Sequence, residues 1–330
     1  MYRRNHYAML ITDLHMPHPD GHSLATVIRP EEEPRTRRRI VALTATALRF
    51  GALAIGALAL ASCTTLQLGG ANLVERDRAP RVEVAYGTAS RQRYDVYRAL
   101  DSLGRPLDGL HPVVVFVHGG SWASGSKNAY KWMGQSLAKQ GFVAVVIEYG
   151  LMPERRFPGF VEDAAAAVAH ARARVTQWGG DTTRFVLMGH SAGAQIAALV
   201  AFDARYLAAH NLSPRIFSGF VGLSGPYDFI YDTRLLRRTF SGTPEQERTA
   251  QPIAFVTAEA PRTLLVMGYE DTTVNPRNTT SLAARMRAIG APVEELWVHG
   301  GHGVTVGAFA RIYRGGNPIV ERIQRFVLAE

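Results

Sequence analysis

Three segments of the sequence carry side chains that together could break an ester or amide bond. Ser191 lies in Gly-His-Ser-Ala-Gly at 189–193, Asp271 in Met-Gly-Tyr-Glu-Asp, and His302 in His-Gly-Gly-His-Gly at 299–303. A serine hydroxyl is a weak nucleophile until a base takes its proton, and an imidazole is the usual base near neutral pH. A carboxylate orients the imidazole and stabilises its charged form. We therefore predict Ser191 as nucleophile, His302 as base and Asp271 as the orienting acid.

Two of these assignments have a competitor close by in the sequence. Glu270 precedes Asp271, and His299 lies three residues before His302. Of the two carboxylates we favour Asp271, because of its position in the segment Met-Gly-Tyr-Glu-Asp, which follows a predicted strand. We favour His302 because glycines on both sides leave its loop free to reach Ser191, whereas His299 lies at or near the end of a predicted strand.

A further segment, His-Gly-Gly-Ser-Trp at 118–122, has the composition of an oxyanion-binding loop. A glycine pair lets the backbone approach a substrate carbonyl and present free N–H groups, which the N–H of Ala192 would join to form an oxyanion hole. Trp122 and His190 are predicted to line the substrate pocket. The alternative is a flexible loop in which His118 is structural and Trp122 belongs to the core.

The elements that must position these groups alternate between strand and helix from about residue 80. Continuous apolar runs such as 112–117 indicate fully buried parallel strands, and helices of 12–16 residues follow them. We predict one of these helices near 127–140 and place the strand before Ser191 at 184–188. This alternation of strands and helices predicts an α/β fold with a mostly parallel central sheet and helices on both faces. Each candidate segment follows a strand, so the segments should meet at one edge of the sheet. A less regular insert near 229–253 carries no motif.

These motifs resemble those of the α/β-hydrolase superfamily over about residues 80–328. The chain looks most like the HGGxW esterase group, which includes kynurenine formamidases, prenylcysteine methylesterase-like proteins and feruloyl-esterase-like carboxylesterases. The resemblance implies oxyanion donors at the amides of Gly120 and Ser121. Gly-Leu-Met at 150–152 departs from the Arg-Leu-Ala of that group, outside the catalytic constellation.

The resemblance implies a serine hydrolase that cleaves small carboxylic esters through an acyl-enzyme, without cofactor or metal. An aryl formamidase with the same three residues is the first alternative. The second, from a different class, is a surface-tethered binding protein on an inactive hydrolase scaffold. The presence of serine, aspartate and histidine argues against that reading.

Composition excludes several other classes. The 330 residues are 47% apolar and 20% charged, as in a folded globular protein. The net charge is +9, but 34 of the 37 basic residues are arginines that are scattered among acids after the first fifty residues. We therefore predict a small-molecule ester as the partner and no nucleic acid. His15, His18 and His22 are not predicted as metal ligands, because prolines and a glycine interrupt any helix there.

The first 48 residues resemble a truncated response-regulator receiver. Residues 7–21 look like its phosphoacceptor strand and loop, and 40–48 like its next strand. The preceding strand with the metal-binding acidic pair is missing, and no lysine follows the switch threonine. We interpret 1–48 as a non-functional remnant.

Residues 49–62 have the pattern of a bacterial lipoprotein signal. An arginine precedes twelve apolar or glycine residues, and Leu-Ala-Ser-Cys then ends at Cys63, the one cysteine of the chain. The alternative is a buried apolar helix with Cys63 as a core residue. The signal predicts lipidation of Cys63. We assign 63–79 to a linker and 80–330 to the catalytic domain. The protein would then be exported and anchored to the cell envelope, with the outer membrane favoured, and otherwise cytoplasmic.

Overall fold

One eight-stranded sheet organises the chain. The computed structural model describes residues 71–72, 75, 79–231, 233–240 and 242–329. In chain order, the strands are β1 Arg81–Ala85, β2 Arg93–Tyr97, β3 His111–Val117, β4 Val143–Ile147, β5 Gly180–His190, β6 Gly219–Leu223, β7 Thr263–Gly268 and β8 Val293–Val298. Their order across the sheet is β1-β2-β4-β3-β5-β6-β7-β8.

The sheet is parallel except at one edge. β1 pairs antiparallel with β2, and β2 pairs antiparallel with β4. The other neighbours, from β4 to β8, are all parallel. Every residue of β4, β6 and β7 is buried, because helices cover both faces of the sheet. The carboxyl ends of β3, β5, β7 and β8 consequently lie along one edge.

Helices cover the two faces in separate groups. Within the described residues they are α1 Lys131–Lys139, α2 Gly159–Arg172, α3 Ala192–Phe202, α4 Ala204–Ala208, α5 Arg234–Phe240, α6 Pro244–Thr249, α7 Arg277–Ala288, α8 Val304–Gly307 and α9 Pro318–Leu328. The apolar residues of α2, α3 and α7 belong to one core cluster, and those of α1 and α9 to a second. The predicted α/β architecture with helices on both faces is confirmed.

Some boundaries differ from the prediction. The helix predicted from Lys127 begins four residues later, because Lys127 is instead buried in an ion-pair cluster with Glu83 and Asp95. The strand before Ser191 begins at Gly180 rather than 184, since 180–181 also pair with β3. The insert predicted as less regular at 229–253 contains the short helices α5 and α6.

The predictions for the first part of the chain lie outside the described residues. They concern the receiver-like segment 7–48, the signal segment 49–62 and Cys63. Among the residues that the structure describes, no helix combines the length and apolar character needed to cross a membrane.

Candidate active site

Ser191 occupies the sharp turn between β5 and α3. Its backbone has φ 55° and ψ −126°, a left-handed conformation that is costly for a residue with a side chain. The turn requires glycine on both sides. A Cβ at Gly189 would lie 2.4 Å from the carbonyl oxygen of Gly193, and a Cβ at Gly193 would lie 2.2 Å from that of Val117. This turn thus presents the hydroxyl of Ser191 at the start of α3, where the helix dipole favours negative charge.

A chain of hydrogen bonds joins the three predicted residues. The Nε2 atom of His302 lies 2.8 Å from Oγ of Ser191, and its Nδ1 atom lies 2.8 Å from Oδ2 of Asp271. The other carboxylate oxygen of Asp271 accepts from the amides of Thr273 and Val274, each at 2.9 Å. The loops after β5, β7 and β8 therefore bring together residues that are up to 111 positions apart.

The environment of Asp271 keeps it ionised. Its side chain is fully buried, which by itself would raise the pKa. The hydrogen bond and charge of His302, with the amides of Val274 and Thr273, outweigh that effect and hold the pKa of Asp271 below its ordinary value. A buried carboxylate of this kind can orient the imidazole and stabilise its protonated form.

The two competing residues form a separate pair on the surface. His299 Nδ1 lies 3.4 Å from the carboxylate of Glu270, and that carboxylate also accepts from the amide of Gly300. Their side chains are 92% and 57% exposed. The structure thus joins Asp271 and His302 to Ser191, and joins Glu270 and His299 only to each other and to the nearby backbone.

The loop after β3 turns its backbone towards the same cleft. Gly120, Ser121 and Trp122 have φ of 133°, 54° and 59°, so three successive residues have left-handed or otherwise strained conformations. A Cβ at Gly120 would lie 2.1 Å from the carbonyl oxygen of Ser124. Among the described residues, no hydrogen bond engages the amides of Gly120, Ser121 or Ala192.

Buried polar contacts hold this loop in place. The guanidinium of Arg91 contacts the carboxylate of Glu148 and donates to the carbonyl of Gly125 at 2.9 Å. Glu148 in turn accepts from the amide of Lys127 at 2.9 Å. The hydroxyl of Tyr149 donates to the carbonyl of His118 at 2.8 Å, and the two rings stack. Both ends of the loop are therefore fixed to the end of β4.

The two predicted pocket residues differ in position. Trp122 lines the cleft, but it is only 4% exposed, and its Nε1 donates to Gln195 at 3.0 Å. His190 is not among the residues that line the cleft. Its ring lies 5.0 Å from the ring of His302, between centroids, and burial together with the charge of His302 lowers its pKa to about 3. His190 is thus a neutral neighbour of the imidazole.

Sequence reasoning missed one contact that supports the His302 loop. The hydroxyls of Ser224 and Thr305 lie 3.0 Å apart, and both residues are fully buried. Thr305 is in α8, three residues after His302, and Ser224 follows β6 with φ of 49°. Nothing in the sequence spacing pairs Ser224 with a threonine 81 positions away.

The cleft above Ser191 has a volume of about 720 Å³. The insert supplies part of its wall through Phe229, Ile230, Thr233, Leu235 and Leu236. Residues of the loop after β7 and of the start of α7 also line the cleft. No group of three or more histidine, cysteine or acidic residues that could hold a metal occurs in the described part of the chain.

Comparisons with known proteins find similar sequences. A family model described as BD-FAE matches residues 105–286. Esterase LipC from Mycobacterium tuberculosis is 33% identical over 63% of the chain and 55% of LipC. Isoprenylcysteine alpha-carbonyl methylesterase ICME from Arabidopsis thaliana is 28% identical over 65% of the chain and 54% of that enzyme. The chain thus spans about half the length of these curated relatives.

Solved structures show the same fold at lower identity. Inhibited Esterase B from Lactobacillus rhamnosis superposes with a TM-score of 0.67, at 18% identity, over 82% of this chain and 94% of that one. An esterase from Pyrobaculum calidifontis gives 0.64, at 20% identity, over 79% and 90%. Both place the chain among α/β-hydrolase folds.

Proposed function

The chain belongs to the BD-FAE family, and from this premise we propose that it is a serine esterase that hydrolyses carboxylic esters. The observation that carries the proposal is the pair of 2.8 Å hydrogen bonds that links Ser191 through His302 to Asp271. The curated relatives named as esterases support the same reaction class.

Acylation begins when His302 Nε2 takes the proton of Ser191 and the oxygen adds to the carbonyl carbon of the ester. The carbonyl oxygen becomes an oxyanion, which the amides of Gly120, Ser121 and Ala192 bind in this proposal; in its support, Ser121 and Ala192 line the cleft. The intermediate collapses, the C–O bond to the alcohol breaks, and His302 gives its proton to the leaving alcohol. The acyl group remains on Ser191.

Deacylation repeats these steps with water. His302 takes a proton from a water molecule, whose oxygen adds to the acyl carbon and forms a second oxyanion. Collapse breaks the bond to Ser191 Oγ, the carboxylic acid leaves, and the proton returns to the serine. Throughout, Asp271 stabilises the imidazolium, and its lowered pKa keeps it charged.

The first test is Ser191→Ala, assayed with p-nitrophenyl acetate and butyrate. We expect kcat to fall by at least about 10³-fold, because no other group can carry the acyl intermediate. The control is Ser213→Ala, since Ser213 is exposed and makes no side-chain capping bond at its helix. Unchanged turnover in the Ser191 variant would end the proposal.

Esters and formamides can be separated with a substrate panel. The same three residues could act on an aryl formamide, so the panel compares short-chain esters with N-formylkynurenine. We expect the higher kcat/KM on esters. A clear preference for the formamide would instead identify an aryl formamidase, and binding without turnover of either class would indicate an inactive scaffold.

We also propose that the mature protein begins at a lipidated Cys63, which lies outside the described residues. The support is the basic residue, apolar run and Leu-Ala-Ser-Cys pattern at 49–63. Cells grown with labelled palmitate should yield labelled wild-type protein and unlabelled Cys63→Ala protein. Equal labelling of the two, or none in wild type, would defeat this proposal.

A further inference from the structure

The turn that precedes α9 exposes two consecutive large apolar side chains. Ile312 and Tyr313 are 63% and 60% exposed. Arg311 and Arg314 flank them. Exposed apolar and aromatic side chains that lie next to each other are typical of segments that contact a membrane surface, where aromatic rings sit among the headgroups.

The base of this turn is firmly packed although its tip is exposed. Phe309 and Ala310, which precede it, are buried in the core cluster that α1 and α9 share. The amides of Tyr313 and Arg314 donate to the carbonyl of Ala310 at 2.9 and 3.0 Å. The exposed pair is therefore held on a defined backbone.

The same turn is joined to the chain segment that follows Cys63. Arg314 pairs with Glu75 at 2.6 Å, and the side chain of Glu75 is only 3% exposed. Three residues earlier, Asn72 donates to the carbonyl of Asn128 at 3.0 Å and accepts from the amide of Trp132 at 3.1 Å. Asn72 and Glu75, near the middle of the predicted linker 63–79, thus bind to the domain, and Glu75 does so at the turn.

We propose that the turn Arg311–Arg314 rests on the phospholipid bilayer that holds the Cys63 anchor, with Ile312 and Tyr313 in the headgroup layer. This inference goes beyond the proposed hydrolase activity and rests on the proposed anchor. It assigns the exposed apolar pair a partner of defined chemistry, the headgroup layer of a phospholipid bilayer.

The short stretch of chain between Cys63 and the described linker favours the anchoring bilayer as the surface that the turn contacts. Only seven residues lie between Cys63 and Ala71, where the described linker begins, so the chain takes eight steps from one to the other. Even fully extended, they span at most about 29 Å. The domain therefore stays close to the bilayer, and the Glu75–Arg314 ion pair places the turn next to the point from which the chain leaves for its anchor.

The test uses a fluorescent reporter at the tip of the turn. A lipidated Cys63 cannot react with a thiol reagent, and the chain has no other cysteine, so Tyr313→Cys allows selective labelling with an NBD reagent. The full-length protein is reconstituted on vesicles of phosphatidylethanolamine and phosphatidylglycerol. We expect a blue shift, a rise in intensity of about twofold or more, and quenching by spin-labelled lipid.

The matched control is Leu103→Cys, labelled in the same way. Leu103 is 74% exposed but lies between β2 and β3, so a label there should keep its aqueous spectrum. Equal changes at both positions, or none at 313, would overturn the inference. A change at 313 that also occurs without vesicles at high protein concentration would reveal contact between copies of the chain and overturn it too.

A label-free measurement accompanies the reporter. In wild-type protein, amide hydrogen exchange over 311–316 should slow on vesicles and not in detergent. The double variant Ile312→Ser/Tyr313→Ser should lose at least about half of that protection. Intact mass decides the anchor separately. Lipidated protein without protection at the turn overturns this inference alone, whereas unlipidated protein without protection overturns both.

Discussion

Asp271 and Glu270 are adjacent carboxylates with different surroundings. Asp271 is fully buried and accepts hydrogen bonds from His302 and two backbone amides. Glu270 is more than half exposed and contacts His299 and the amide of Gly300. Environment rather than residue type therefore decides which of them can stabilise an imidazolium.

This difference predicts opposite results for two isosteric variants. Asp271→Asn should lower kcat by about 10³–10⁴-fold, because the amide cannot stabilise the charged imidazole and favours the wrong tautomer. Glu270→Gln should change kcat by less than about twofold, since it removes only an exposed charge. Both variants are assayed with p-nitrophenyl butyrate at pH 7. A large loss in the Glu270 variant would reassign the acid.

The residues that could be predicted from the sequence are those whose chemistry has a local signature. Ser191 was identified by its glycines, and Asp271 and His302 by their positions after apolar strands. The Ser224–Thr305 contact could not be found in this way, because no sequence pattern marks a serine and a distant threonine as hydrogen-bond partners. The position of His190 was also hidden, since a histidine beside the nucleophile can face the cleft or the adjoining loop.

At the scale of elements, α8 determines where the imidazole lies. This four-residue helix begins two residues after His302, and the hydroxyl contact between Thr305 and Ser224 attaches it to the end of β6. A short helix gains little stability from its own hydrogen bonds. Its position therefore depends on such tertiary contacts.

Thr305→Val should consequently lower kcat by about tenfold and leave KM nearly unchanged, because the variant leaves the buried Ser224 hydroxyl unpaired and loosens the His302 loop. The control is Thr280→Val on the exposed side of α7, where the hydroxyl bonds only to its own helix. Kinetics and the thermal midpoint are measured for both. Wild-type kcat in a folded Thr305 variant would contradict the prediction.

The parallel strands β3, β4, β6 and β7 were predictable because almost all of their residues are buried and each reads as a nearly continuous run of apolar residues and glycine. The start of α1 was not, because Lys127 looks like a helix residue in isolation. Its place in the fold comes from Asp95 and Glu83, on two strands more than thirty positions earlier. Long-range ion pairs of this kind have no local pattern.

At the scale of the whole molecule, two buried histidines make stability depend on pH. Burial lowers the pKa of His118 to about 4 and that of His190 to about 3. In the unfolded chain both take a proton near pH 6.5, so below that pH the unfolded state binds more protons than the folded state. Each histidine then costs up to about 1.4 kcal/mol of unfolding free energy per pH unit.

We therefore expect the thermal midpoint to fall as the pH drops from 6.5 to 5. The lowered pKa of Asp271 acts only below its ordinary value of 3.8. Burial raises the pKa of Glu148 above 4.5, which opposes the effect of the histidines, so the histidine variants isolate their share of the dependence. His118→Gln and His190→Gln should each flatten the dependence, whatever their midpoint at pH 7. Scanning calorimetry from pH 5 to 7 provides the measurement, and a midpoint independent of pH in wild type would refute the prediction.

The insert at 229–253 contributes to the wall of the cleft, while Ser191, Asp271 and His302 come from loops that follow β5, β7 and β8. Part of the cleft wall therefore comes from a stretch of the chain that supplies none of Ser191, Asp271 and His302. Exchanging the insert between family members is a route to enzymes with new selectivity on an unchanged catalytic framework. In evolution, the same separation allows drift in the insert to explore substrates without loss of chemistry.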